Sequence, residues 1–225
     1  RSYSVTGVQT CALPIFLNIS LFKTNKLFAF ANLAALINYA TTFAVTFILS
    51  LYLQYIKGLA PREAGMILVT QPIIMAVMAT WAGKLSDKTD PRILASLGMG
   101  ISAVGLLMLV PLNASTSTLY LVVTLVVLGL GFGLFSSPNT NSIMGSVDKR
   151  FLGLASGTVG TMRLTGQMLS MGIAALIIQV YIGKDAIKPN NYQQFIWAIG
   201  TAFVVFALLS VVGIWASLKR GKANG

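Results

Sequence analysis

The sequence predicts an all-α integral membrane protein built from six transmembrane helices, and three observations carry that prediction. Six apolar segments are each long enough to cross a bilayer: a hydrocarbon core of about 30 Å needs about 20 helical residues, because backbone groups in lipid can be satisfied only within the segment. The connections between the segments are short, so neighbouring helices run antiparallel. Lysine and arginine gather in alternate loops, which places them on one side of the membrane.

Composition agrees with this class and excludes others. Hydrophobic residues make up 56% of the chain and charged residues 9%, with mean hydropathy +0.80, whereas soluble domains carry about 25% charged residues. A net charge of +11 in a soluble protein would point to nucleic acid. Here the basic residues form no patch with interleaved aromatics, and juxtamembrane charge accounts for them. The single cysteine, Cys11, excludes an internal disulfide, and the absence of histidine removes the commonest metal ligand and proton shuttle. No metal site, cofactor or enzymatic chemistry is expected.

Residues 1–15 lack the basic start and continuous apolar stretch of a signal peptide and resemble the translated read-through of a sequencing adapter. They are expected to be non-native, which leaves 16–225 as one six-helix bundle. The spans are predicted at 27–55, 63–84, 92–111, 119–138, 152–182 and 192–218. One side carries Lys23, Lys26, Lys84, Lys88, Arg92, Lys149, Arg150, Lys219, Arg220 and Lys222, and the other Lys57, Arg62, Lys184 and Lys188. Ten against four puts the first side, and the C-terminus, in the cytoplasm.

Polar residues are shared unequally among the spans. The first places Asn38, Thr42, Thr46 and Ser50 at four-residue steps along one helical face, and the fifth adds Arg163, Gln167 and Ser170 at similar spacing. The third holds only Ser96 and Ser102 in its interior and the sixth only Thr201 and Ser210, so these two are expected to face outward. Helices one, two, four and five then line a cavity, with Asn38, Thr42, Thr46, Gln71, Asn139, Arg163 and Gln167 as its candidate substrate-facing residues. Such stripes serve interhelical hydrogen bonding or a water-filled path, and the sequence leaves both open. Small-residue pairs at Gly129 and Gly133, Gly153 and Gly157, and Ala79 and Gly83 allow helices to pack closely. A charge such as Arg163 costs at least about 2.5–3.5 kcal/mol at mid-bilayer, so it should face protein or water or snorkel to the interface. A structural or gating role and contact with substrate or protons both fit it.

The stretch from Gly83 through Leu85, Ser86, Asp87 and Lys88 to Arg92 resembles the loop motif of the major facilitator superfamily. Its aspartate can accept backbone N–H groups at a helix start and pair with a base, forming a conformational latch. Gly129, Gly131 and Gly133 leading to Ser137, Pro138, Asn139 and Asn141, then Gly153, Gly157, Arg163 and Gln167, are similar to the second half of fourteen-helix drug:proton antiporters. The resemblance covers nearly everything from about Leu17 onward. It implies the C-terminal half of a transporter, a 3+3 inverted repeat, in a bacterial inner membrane. It also implies the lipid bilayer, a missing N-terminal half, protons and a small hydrophobic or cationic substrate as partners. The chain departs from that group in supplying six helices rather than fourteen. Glu63, Asp87, Asp90, Asp148 and Asp185 all fall in loops or at helix ends, so no carboxylate is expected within the membrane. A facilitator for another solute, such as a sugar or organic anion, and a non-transporting scaffold or sensor remain the other readings. Wall residues such as Tyr39, Phe43 and Phe135 are indistinguishable from packing residues at this stage, so substrate identity is not legible.

Overall fold

The structure, a computed structural model, describes residues 19–86, 88–183 and 185–219. Six helices in it are long and apolar enough to cross a membrane: α1 (Lys26–Ile56), α2 (Pro61–Ser86), α3 (Pro91–Met108), α4 (Thr118–Gly145), α5 (Lys149–Ile182) and α6 (Pro189–Lys219). A short helix, Ile19–Thr24, precedes α1. Asp87, Lys184, Arg220, Lys222 and the segment 1–15 lie outside the described residues.

Local chemistry fixes where the helices begin. The Asn25 side chain accepts the Phe28 N–H at 3.0 Å before α1, Asp90 accepts the Arg92 N–H at 2.9 Å before α3, and Ser117 accepts the Tyr120 N–H at 3.2 Å before α4. Pro91 at the first position of α3 loses no helical bond. The predicted end of the fourth span at Pro138 is too early, because α4 carries that proline in its interior and continues to Gly145. Thr140 and Ser142 donate their hydroxyls to the Ser136 and Pro138 carbonyls at 2.9 Å each, and the apolar surroundings leave the helix no better alternative. Helix α2 is interrupted at Val69, between Pro61–Leu68 and Thr70–Ser86. Pro72 has no N–H to offer the turn before it.

The helices pack by a regular exchange. Helix α4 lies against α2 and α3, α1 against α5 and α6, α3 against α6, and α1 against α4. Swapping α1 with α4, α2 with α5 and α3 with α6 maps each of these contacts onto another in the same set; α5 also packs against α6, a contact whose image between α2 and α3 is far slighter. This is the pairing that two three-helix repeats produce. The central core joins Val45, Ile48, Leu49 and Tyr52 of α1, Leu125, Leu128 and Phe132 of α4, and Phe195, Phe203 and Phe206 of α6. At the end opposite the basic loops, the Tyr52 hydroxyl donates to the Asn113 carbonyl at 2.6 Å. At the basic end, the Asn25 amide donates to the Ser146 carbonyl at 2.6 Å, tying α1 to α4.

Burial corrects the expectation that the third and sixth helices simply face outward. The apolar stretches of α1 and α4 are each 56% buried and those of α3 and α6 50% and 44%, whereas α2 and α5 are buried only to 11% and 17%. Ser96, Ser102 and Ser210 lie inside. Each hydroxyl bonds the carbonyl four residues back in its own helix, at 2.8, 3.0 and 3.0 Å, and Ser96 also bonds Ser217 of α6 at 3.0 Å. A serine satisfied by its own helix enters apolar packing without needing a cavity. Polar content therefore misjudges which helices are covered. Helix α3 still turns Ile93, Leu97, Val104 and Leu107 outward on its other face.

Candidate functional site

The polar stripe of α1 opens at its middle. Thr42 donates to the Asn38 carbonyl at 2.8 Å and Thr46 to the Thr42 carbonyl at 3.4 Å, so both hydroxyl oxygens keep acceptor capacity toward the outside of the helix. Thr42 and Thr46 line a groove of about 310 Å³ with Gly65, Leu68, Val69, Gln71, Pro72 and Met75 of α2. The groove thus unites three of the predicted cavity residues, Thr42, Thr46 and Gln71, and gives them an apolar wall.

Its α2 wall is held by the glycines of α4. A Cβ added at Gly129 would lie 2.8 Å from the Gln71 carbonyl oxygen, and one at Gly133 would lie 2.7 Å from the Met75 carbonyl oxygen. Further along the same crossing, a Cβ at Gly83 would stand 2.9 Å from Ser137 Oγ. Only glycine lets the two backbones come this close. Gly153 and Gly157 behave differently. Both are exposed, and a Cβ at either would meet nothing within 4 Å among the described residues. The close packing expected of that pair is absent among the described residues, because the covered face of α5 is the one bearing Ala155 and Thr158.

Arg163 is exposed on α5, with its guanidinium carbon 5.5 Å from the centroid of the Tyr39 ring on α1. Gly166 brings the two helices together, since a Cβ there would lie 2.6 Å from the Leu36 carbonyl oxygen. Tyr39 stands three residues, about 4.5 Å along the axis, before Thr42 on α1. Gln167 is half-buried and its carbonyl accepts the Ser170 hydroxyl at 2.8 Å.

Two predicted cavity residues are placed elsewhere. Asn139 is buried and donates its amide to the Ala31 carbonyl at 3.1 Å, joining α4 to α1. Asn38 is buried and does not line the groove. The Asn139 amide sits in the packed interior, where a polar group satisfied by a neighbouring helix costs little.

In the loop after α2, Lys88 is exposed and Arg92 bonds Asp90 through Nε at 3.2 Å and Nη2 at 3.0 Å. Asp90 thereby caps α3 and pairs with a base; the roles expected here are those of Asp87, which lies outside the described residues. The Asn141 amide donates to Ser86 Oγ at 3.0 Å, a tie from α4 to the loop's start that the spacing pattern did not reveal.

Both flanks of the groove remain uncovered. Helix α2 exposes Val69, Ile73, Val77 and Trp81, and α5 exposes Leu164, Met168 and Met171.

The model of the Major Facilitator Superfamily matches residues 31–224. The riboflavin transporter RibZ of Clostridioides difficile (strain 630) is 34% identical over 203 residues, covering 88% of this chain and 43% of that transporter. The multidrug transporter protein MdtP of Bacillus subtilis (strain 168) is 28% identical over 178 residues, covering 79% of this chain and 32% of MdtP. The lincomycin resistance protein LmrB of Listeria monocytogenes is 23% identical over 216 residues, covering 92% of this chain and 45% of LmrB. The chain spans less than half the length of each of these relatives.

Proposed function

The chain belongs to the Major Facilitator Superfamily, a family of multi-pass membrane transporters, and from that premise we propose that it is the C-terminal half of a proton-driven drug exporter of the fourteen-helix group, set in a bacterial inner membrane with its basic loops in the cytoplasm. The observation that carries this reading is the groove between α1 and α2, with Thr42, Thr46 and Gln71 on its walls, lying between two flanks that the described residues leave bare. In alternating access two bundles rock about a site near the midplane. Here α2 and α5 are the surfaces against which an N-terminal bundle rocks, and Thr42, Thr46, Gln71, Arg163 and Gln167 form this half's contribution to the substrate path. The loop of Gly83, Asp87, Lys88 and Arg92 acts as the latch that breaks and reforms between states.

Proton coupling is assigned to the other half. The described acids Glu63, Asp90, Asp148 and Asp185 lie at helix ends or in loops. A second reading, a facilitator for another small solute, is favoured by the 34% identity to a riboflavin transporter. Everted vesicles bearing the complete transporter decide between them. The expected result is drug accumulation that collapses on addition of an uncoupler and does not require ATP. Flux of a nutrient such as riboflavin without any drug flux would overturn the exporter reading in favour of the second.

A further inference from the structure

The electrostatics of the groove point away from the cationic cargo that the family resemblance implies. Among the described residues, every charged side chain of the six helices sits at a helix end except Arg163, which lies well inside α5. It makes no ion pair among those residues, where the salt bridges are Arg92 with Asp90 and Arg150 with Asp148. An unpaired guanidinium in a low-dielectric setting raises the potential of everything near it. No described carboxylate in this half offsets that charge.

The surroundings of Arg163 are built for recognition rather than for snorkelling alone. The guanidinium carbon lies 5.5 Å from the centroid of the Tyr39 ring, and among the described residues no carboxylate takes up its N–H donors. From Tyr39 to Thr46 the α1 face rises about 10 Å, the length of a fused ring system. Along that rise the groove supplies Thr42 and Thr46 hydroxyls and the Gln71 residue on a wall that includes Leu68, Val69 and Met75. Flat apolar surface, neutral polar groups and a planar bidentate donor at one end suit one chemical class.

We infer that this half selects planar aromatic anions, with Arg163, oriented by Tyr39, holding the acidic edge of the solute and the α1–α2 groove holding its rings. The inference rests on the transporter reading for the position of the path and goes beyond it in naming the cargo's charge.

The test uses the complete transporter and two flat fluorescent probes of opposite sign, fluorescein and ethidium. Equilibrium binding in nanodiscs is read by anisotropy, and gradient-driven flux in vesicles is read alongside it. Arg163→Gln is expected to lower the ratio of fluorescein to ethidium affinity by about tenfold or more, with fluorescein binding falling and ethidium binding rising, while Arg163→Lys keeps most of the wild-type ratio. A merely structural arginine would weaken both probes together, and that result overturns the inference. So does a wild type that prefers ethidium, or one that binds neither probe. Arginine-dependent fluorescein binding without flux of either probe would uphold the anion site and sink the exporter reading instead.

Discussion

Gly129 and Gly133 on α4 share their spacing with Gly153 and Gly157 on α5, and everything around the two pairs differs. The α4 pair is buried against α2, with the Gln71 and Met75 carbonyls where a Cβ would go, while the α5 pair looks into open space. The spacing of small residues is a permission for close approach. Whether the permission is used depends on a neighbour, and among the described residues α2 supplies one for α4 while nothing supplies one for that face of α5. The contrast extends to the helices themselves: α4 is a covered strut and α5 an uncovered flank.

The largest effect that separates the two regions is steric. Gly133→Val should destabilise the purified chain in detergent by about 1–3 kcal/mol, since the added side chain must push α2 away, whereas Gly157→Val should change stability by less than about 0.5 kcal/mol. Unfolding in a denaturing detergent titration measures both, and equal losses would erase the distinction. The same Gly157→Val change, made in the complete transporter, is expected to reduce transport, because the proposed partner bundle occupies that face.

A smaller effect compares polar residues on the same two helices. Asn139→Ala removes a hydrogen bond between α4 and α1 and should cost about 0.6–1.7 kcal/mol, while Gln167→Ala on α5 should stay within about 0.5 kcal/mol. A cost at Gln167 as large as that at Asn139 would mean that α5 is held by polar contacts as α4 is. The smallest expected change is at Ser96, where alanine loses the bond to Ser217 but gains an apolar fit, leaving stability within about 0.5 kcal/mol. A loss beyond that would assign α3 and α6 a polar clasp where packing alone is argued.

Much of the architecture was legible in the residues, and the site only in part. The four-residue steps of Asn38, Thr42, Thr46 and Ser50 mark one polar face of α1, yet the same stripe gives no sign that Asn38 is buried while Thr42 and Thr46 border the groove. Serine content misjudges α3 and α6, because a hydroxyl that bonds its own helix carries no information about what lies beyond it. Gly131 stands in the glycine run of α4, yet nothing in that run pairs it with Gly98 of α3, where an added Cβ would lie 2.7 Å from the Gly131 carbonyl oxygen. They sit on different helices, and no spacing within one segment can pair them.

Hydropathy and loop charge by themselves determined that the chain crosses a membrane, with six antiparallel spans and its bases gathered at alternate loops. These follow from windows of about 20 residues, since transfer into lipid and satisfaction of the backbone are properties of each segment alone. Which glycines are filled against a neighbour, which amides clasp helices and which threonines border a groove were decided only in the tertiary structure. A face is covered or bare according to what another helix brings to it, and that partner lies at a distance in sequence that no local pattern reaches. Arg163 shows both halves of this. Its sequence position makes it a costly charge within a span, and only the approach of α5 to α1 at Gly166 sets it over Tyr39, one turn from the groove.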